Sequence, residues 1–161
     1  LAEDEARGLW DNRHVIAERF ARERRAMAPP RDPRREGVAF DYIHVALPAS
    51  QVLAFRAICH ETAAREGVSL GECGLWTAPE LFSASLMLPE AEGGHARLRA
   101  VVDHLLMAAQ DLGGSMEYCH GAGIRLAHLM DRELGPGMEV LRRLKAALDP
   151  QGILSPGKLG L

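Results

Sequence analysis

The amino-acid sequence predicts an α+β fold, with an antiparallel sheet covered on one face by helices and further helices at the C-terminal end. The first observation behind this prediction is the order of patterns between residues 38 and 112, which runs strand, helix, strand, strand, helix. The second is the helical patterning that follows a glycine-rich loop after residue 112. The chain has 161 residues, of which 47% are hydrophobic, so it is long enough to bury a core.

The N-terminal segment, residues 1–37, is predicted to form one helix followed by a linker. Apolar residues recur at helical spacing over about residues 3–27, and Pro29-Pro30 ends the pattern. A polar loop completes the segment. The helical pattern starts at once after Leu1, which suggests that the sequence is part of a longer protein.

Three strands are predicted in the middle segment, residues 38–112. The first runs from Phe40 to Leu47 and is rich in β-branched and aromatic residues. The other two cover about residues 68–75 and 81–88, and a turn near Ala78-Pro79 joins them.

Two helices alternate with these strands. The first begins after Pro48 and ends at Gly67, which is placed to close a helix. The second follows Gly93-Gly94. The core-facing residues are predicted to be Val52, Phe55, Cys59 and Ala63 in the first helix, and Leu98, Val101, Leu105, Ala109 and Leu112 in the second.

The last segment, residues 113–161, is predicted to contain two more helices after the glycine-rich loop. A short one covers about residues 124–133, and another lies between Pro136 and Pro150. The predicted buried stripe of the second consists of Met138, Leu141, Leu144 and Leu148.

Two motifs in the last segment carry most of the information on function. Residues 113–123 read Gly-Gly-Ser-Met-Glu-Tyr-Cys-His-Gly-Ala-Gly, and residues 148–159 read Leu-Asp-Pro-Gln-Gly-Ile-Leu-Ser-Pro-Gly-Lys-Leu. In this order and at this distance, the two motifs resemble the C-terminal substrate, or cap, domain of FAD-linked oxidases of the vanillyl-alcohol oxidase type. That group includes D-lactate and glycolate dehydrogenases and the ether-lipid enzyme alkyldihydroxyacetonephosphate synthase.

The resemblance implies a ferredoxin-like cap domain over residues 38–112 and a C-terminal segment that returns toward the flavin. It also implies a separate N-terminal domain, absent from this sequence, that binds most of the FAD. The cap would form the wall over the flavin ring, where glycine lets the backbone approach a planar ligand closely. The residues implied in cofactor contact are Gly121, Gly123, Lys158 and Cys119.

His120 is the catalytic residue that the resemblance implies, because oxidation of a C–OH group needs a proton acceptor near neutral pH. Tyr118 is the second catalytic candidate, as a hydrogen-bond partner of the substrate. The structural alternatives are a hydrogen-bonded loop histidine for His120 and a packing role for Tyr118.

Cys119 departs from the pattern of the relatives. Hydroxy-acid dehydrogenases of the group usually have Glu directly before the histidine, and the ether-lipid synthases have a run of histidines. A nucleophilic or redox role for Cys119 would need a base beside its sulfur, and the alternative is a small packed residue.

No metal ion is expected from the sequence. Some hydroxy-acid dehydrogenases of the group carry two histidines on a cap strand plus the Glu, but the corresponding strand here, Glu72-Cys73-Gly74-Leu75-Trp76, contains no histidine. The pairs Cys59-His60 and Cys119-His120 lack the paired spacing of a zinc site.

Three further residues are candidates for substrate binding. The planar guanidinium of Arg125 is suited to a carboxylate or phosphate, although a charge on a helix surface is the equal alternative. Glu72 and Trp76 could line the pocket from the sheet, whereas a tryptophan at a strand end is more often a core or rim residue.

Composition limits the partners and the compartment. The formal net charge of −3 does not favour nucleic acid or a membrane surface, and no apolar run approaches the length of a membrane span. Three cysteines without framework spacing favour a reducing compartment, so the cytoplasm is predicted. The expected partners are a small, anionic substrate and the FAD-binding domain of the same parent chain, and a homo-oligomer is left open.

The sequence therefore favours the C-terminal substrate domain of an FAD-dependent oxidoreductase. The parent enzyme would oxidise a hydroxy acid or related alcohol by hydride transfer to the flavin, and this chain alone would be inactive. An FAD enzyme similar to the ether-lipid synthases and a non-catalytic α+β binding module are the alternatives.

Overall fold

The computed structural model of the protein describes residues 37–90 and 93–161. The helix and linker predicted for the N-terminal segment lie outside these residues. The middle segment contains three of the four strands, β1 (Val38–Ala46), β2 (Ser69–Leu75) and β3 (Leu81–Pro89). All three predicted strands are therefore confirmed.

The fourth strand is short, and the sequence did not predict it. It is β4 (Ser115–Met116), at the start of the glycine-rich loop, and it pairs with the end of β1. The four strands form one antiparallel sheet in the order β2-β3-β1-β4. With the element order β-α-β-β-α-β, this is the ferredoxin-like arrangement that was expected.

Two long helices lie between the strands along the chain. They are α1 (Val52–Glu66) and α2 (Gly94–Asp111). Helix α1 ends at Gly67 with a left-handed backbone (φ 66°), which confirms the predicted closing position. Helix α2 packs against β1 and β3, and α1 contacts β2 and α2.

The core lies between these helices and one face of the sheet, called here the covered face. Every predicted core position of α1 is buried, and so are those of α2 except the half-buried Leu112. From the sheet, Ile43, Val45 and Phe82 contribute fully buried side chains. The rings of Phe55 and Phe82 meet edge to face, with centroids 5.2 Å apart.

The C-terminal segment adds two α-helices, α3 (Met130–Leu134) and α4 (Gly137–Leu148). The predicted short helix starts later than expected, with a 3-10 turn at Ala127–Leu129 that leads into α3. A second 3-10 turn, Lys158–Gly160, lies at the end of the chain. Among the described helices, none is both long and apolar enough to cross a membrane.

The prediction of a buried stripe along α4 is wrong for most of the helix. Met138 is buried and Leu141 is half-buried, but Leu144 and Leu148 are exposed, Leu148 by 78%. Periodicity shows which residues share a helix face, and it cannot show whether another element covers that face.

Candidate functional site

The second face of the sheet, called here the site face, carries Tyr42 and His44. These residues alternate along β1 with the buried Ile43 and Val45, because successive strand residues point to opposite faces. The backbone N–H of Tyr118 donates to the carbonyl oxygen of His44 at 3.2 Å. This bond extends the contact between β1 and β4 and brings residues 117–120 beside the two rings.

Four rings form a cluster at this position. The centroid of His120 lies 4.9 Å from that of His44 and 5.0 Å from that of Tyr42. The centroid of His44 lies 5.0 Å from that of Tyr42 and 5.6 Å from that of Tyr118. All four pairs have the tilted or edge-on geometry that aromatic rings prefer.

The carboxylate of Glu117 lies beneath the two imidazoles. Its side chain is only 2% exposed, and its Oε1 lies 3.6 Å from Nδ1 of His44 and 3.4 Å from Nδ1 of His120. Oε1 also accepts the backbone N–H of His120 at 3.3 Å. Glu117 has a left-handed backbone (φ 60°), which is uncommon for a residue with a side chain. The fold therefore holds this carboxylate in a strained position facing both histidines.

Arg125 compensates the charge of Glu117. Its Nη2 donates to Oε2 of Glu117 at 3.1 Å, and its Nη1 is paired with the carboxylate of Asp41. Both terminal nitrogens also approach the carbonyl oxygen of Tyr42. The guanidinium predicted to bind substrate is thus engaged by β1 and by Glu117.

Within the part of the chain that the structure describes, two polar atoms of the cluster are buried without a hydrogen-bond partner, Nδ1 of His44 and the hydroxyl of Tyr118. Burial lowers the pKa of His44; the charges of His120 and Arg125 lower it further, while Glu117 and Glu72 oppose this shift. Burial also raises the pKa of Tyr118, with smaller contributions from Cys119, Glu117 and Glu72. Both side chains are therefore neutral at neutral pH.

Cys119 and His120 form the exposed edge of the cluster. The imidazole of His120 is 51% exposed, and its Nε2 lies 3.8 Å from Sγ of Cys119. One potential ligand atom from each of His44, Cys119 and His120 lies within 4.8 Å of the other two. Sequence adjacency alone did not indicate this convergence, because His44 comes from a distant strand.

The glycines after His120 connect this edge to the C-terminal tail. Gly121 and Gly123 have left-handed backbones (φ 70° and 56°), and a side chain added at either position would meet no atom within 4 Å. The backbone N–H of Leu159 donates to the carbonyl oxygen of Gly123 at 2.9 Å. The tail that carries Lys158 therefore lies against the glycine loop.

The two candidates on β2 differ in their relation to the cluster. Glu72 is close enough to affect the pKa of His44 and of Tyr118, and its backbone N–H donates to Oγ of Ser85 on the neighbouring strand. Trp76 is exposed at the end of the strand and makes no ring contact with the cluster in the described part of the chain.

Sequence reasoning missed four residues of the site, namely Asp41, Tyr42, His44 and Glu117. A signal for Tyr42 and His44 was present, because they alternate with the apolar Ile43 and Val45 along β1, whereas Asp41 breaks this alternation. Glu117 was visible inside the glycine motif, but nothing in the sequence indicated that its carboxylate would turn inward.

A family model described as FAD linked oxidases, C-terminal domain, matches residues 3–159. The chain belongs to this family. The cap-domain resemblance inferred from the glycine loop and the tail motif is therefore confirmed, and the match extends over almost the whole sequence.

One curated relative is a probable mitochondrial D-lactate dehydrogenase of Danio rerio. It is 34% identical to this chain over 64 residues, which are 39% of this chain. The match spans 13% of the length of that protein, so it covers a small part of a larger enzyme.

Proposed function

We propose that this chain is the substrate-facing domain of an FAD-dependent oxidoreductase that oxidises a hydroxy acid or a related alcohol. Family membership supports the oxidoreductase class, and the similarity to a probable D-lactate dehydrogenase supports a hydroxy acid. The observation that carries the proposal is the geometry of His120, whose half-exposed imidazole has its Nδ1 directed at the buried carboxylate of Glu117.

The residues expected near FAD fit such a cofactor. The open space around Gly121 and Gly123 leaves the loop backbone accessible to a planar group. Lys158 lies on the tail that hydrogen-bonds to this loop, and Cys119 is exposed at the same edge. We assign the flavin-facing surface to these four residues, and most FAD contacts to a separate domain of the parent protein. When bound, FAD supplies the acceptor for the hydride that leaves the carbinol carbon.

The residues of this chain would handle the proton of the substrate hydroxyl. Because Nδ1 of His120 faces Glu117, Nε2 is the nitrogen left to accept that proton. Glu117 stabilises the imidazolium that forms, and Arg125 holds Glu117 in place. Loss of the hydroxyl proton and of the hydride converts the C–OH group to a carbonyl.

Tyr118 has a supporting role in this proposal. Its ring meets that of His44 edge to face, and its hydroxyl makes no hydrogen bond within residues 37–90 and 93–161, so we assign it as a donor to the substrate oxygen. Arg125 is engaged by Glu117 and Asp41, so we assign it to positioning Glu117 in place of direct substrate binding. Glu72 contributes negative charge beside the cluster.

We also propose a reducing compartment, the cytoplasm, for the parent protein. All three cysteines of the chain are free thiols, including the exposed Cys119. Subcellular fractionation with a compartment marker tests this assignment.

The test of function uses the parent protein that includes its FAD-binding domain. We expect a yellow flavoprotein whose visible absorption bleaches when a hydroxy acid is added without oxygen. His120→Ala should lower kcat by about 10²- to 10⁴-fold, the usual contribution of general base catalysis. Added imidazole should restore part of this activity, which a structural defect would not allow.

The matched control is His128→Ala. His128 is an exposed histidine whose Nε2 lies 2.9 Å from Oδ2 of Asp103, and its ring is not among those that contact the cluster in the described residues, so turnover should persist. A colourless parent protein would contradict the flavoenzyme proposal and favour a binding module. Full turnover in His120→Ala would leave the flavoenzyme standing and remove His120 as the base.

A further inference from the structure

The ligand atoms of His44, Cys119 and His120 converge on one point at the exposed edge of the ring cluster. They lie within 4.8 Å of one another, although His44 comes from β1 and the other two from the glycine loop. Two imidazoles and a thiolate are ligands that zinc and related transition metals prefer, whereas magnesium and calcium prefer oxygen.

The spacing of these atoms suits a tetrahedral ion. With metal–sulfur and metal–nitrogen bonds near 2.3 and 2.0–2.1 Å, a tetrahedral site needs about 3.6 Å between sulfur and nitrogen. The distance between Sγ of Cys119 and Nε2 of His120 is 3.8 Å. For this pair, closing around an ion requires a movement of only about 0.2 Å, and the His44 nitrogen lies within 4.8 Å of both atoms.

Glu117 provides an independent observation in favour of a metal. Histidines that bind metals usually direct their second ring nitrogen at a carboxylate, which fixes the tautomer. Here Nδ1 of both His44 and His120 lies on the side of the same oxygen of Glu117, at 3.6 and 3.4 Å, and Nδ1 of His44 makes no hydrogen bond within the described residues. We therefore assign Nε2 of both rings to the ligand, with Glu117 as the carboxylate partner of Nδ1 once the site closes and Arg125 balancing its charge.

We propose that His44, Cys119 and His120 form a binding site for one divalent transition-metal ion of the zinc class. The fourth position is open to water, because Cys119 and His120 are exposed. The ligand set differs from the strand histidine pair and glutamate of some relatives, because β2 supplies no ligand and His44 lies on β1.

The site has a consequence for turnover that rests on the proposed function. A metal bound to Nε2 of His120 removes the nitrogen that would accept the substrate proton. Metal and substrate therefore compete, and zinc acts as a reversible inhibitor that a chelator removes.

The direct test is a cobalt titration of the full 161-residue chain, reduced and without FAD or substrate. Co²⁺ is the probe, because a thiolate bound to it gives a strong near-ultraviolet absorption and tetrahedral geometry gives intense visible bands. We expect one equivalent to bind and Zn²⁺ to displace it, whereas excess Mg²⁺ should not. Cys119→Ser should remove the thiolate band, and His44→Gln should weaken binding at least tenfold. Glu117→Gln should weaken it by about 10- to 100-fold.

Two matched controls separate this site from adventitious binding. Cys73→Ser removes a half-buried thiol on β2, and His60→Gln removes an exposed imidazole on α1. Both should bind Co²⁺ like the unmodified chain. Circular dichroism identifies any variant that fails to fold. If His44→Gln does not fold, the loss or survival of the thiolate band in Cys119→Ser, whose side chain is exposed, still tests the metal site.

The proposal is overturned if the unmodified chain shows no thiolate band or if the band survives in Cys119→Ser. Loss of the band in Cys73→Ser would overturn it as well. None of these measurements needs flavin or turnover. The metal-binding result can therefore be interpreted even if the proposed oxidase activity is not found. Conversely, an active enzyme that zinc does not inhibit would separate metal binding from catalysis.

Discussion

The two faces of the sheet differ in how their side chains are satisfied. On the covered face, Ile43, Val45 and Phe82 are completely buried among apolar neighbours. On the site face, His44 and Tyr118 have buried polar atoms that make no hydrogen bond among the described residues, and Glu117 has a strained backbone beside them. The same strand β1 supplies residues to both faces.

The two faces therefore differ in their effect on the stability of the fold. Apolar burial on the covered face stabilises the fold, whereas unpaired polar groups and left-handed backbone on the site face cost free energy. Strained backbone and unpaired buried polar groups cluster at functional sites. We therefore place the proposed chemistry on the site face.

The largest effect is expected from a change on the covered face. Phe82→Ala removes a fully buried ring that packs edge to face on Phe55, so the free energy of unfolding should fall by about 3–5 kcal/mol. Chemical denaturation measures the loss. The matched change on the site face is Phe40→Ala, at a half-buried position next to Tyr42. An equal loss for both variants would contradict the distinction between the faces.

A smaller effect is expected where the glycine loop joins the covered face. A Cβ at Gly114 would lie 2.7 Å from the carbonyl oxygen of Ala46 and 2.8 Å from that of Ala109. Gly114→Ala should therefore destabilise the fold by about 1–3 kcal/mol, since backbone cannot move aside easily. Thermal unfolding provides the measurement.

The control for this prediction is Gly137→Ala in the first turn of α4. The nearest atom to an added Cβ there is 3.8 Å away, so the stability should change by no more than about 0.5 kcal/mol. If Gly114→Ala unfolded at the same temperature as the control, the close packing around Gly114 would not stabilise the fold as proposed.

The smallest effect on stability is expected from Asp149. Its carboxylate is paired with a lysine and with backbone N–H groups, in contrast to the unpaired polar atoms of the site face. Asp149 accepts the backbone N–H groups of Ile153 and Leu154 at 3.0 and 2.9 Å and is paired with Lys145. The hydrogen bond from Lys145, followed by those from the backbone, holds the pKa of Asp149 below its usual value. Its stabilising contribution is therefore present above the usual aspartate pKa and disappears as the pH falls through the lowered pKa.

Asp149→Asn should accordingly unfold at a lower temperature than the unmodified chain at pH 7, and the difference should shrink in acid. The control is Asp131→Asn, which breaks an exposed ion pair with Arg142 and should have less effect. A difference between Asp149→Asn and the unmodified chain that did not depend on pH would argue against the carboxylate as its cause.

Most of the fold could be predicted from local patterns. The strands β1, β2 and β3 and the helices α1 and α2 follow from alternation and from helical periodicity, and Gly67 closes α1 as glycine does at many helix ends. The failures have one physical reason. The strand β4 and the exposure of Leu144 and Leu148 depend on which elements meet, and a local pattern carries no information on that.

The candidate site was predicted only in part. The glycine motif indicated His120, Tyr118 and Cys119, and these residues do lie together. Their partners were not predicted, because His44 and Asp41 reach the site through strand pairing with a distant part of the chain.

The sequence by itself determined the α+β class, the main elements and, through two motifs, membership of the FAD-linked oxidase C-terminal family. The tertiary structure alone decided that His44, Glu117 and His120 face one another and that Arg125 is committed to carboxylates. The reason is that motifs record residues close along the chain, whereas the charge environment of a side chain is set by groups that folding brings close in space.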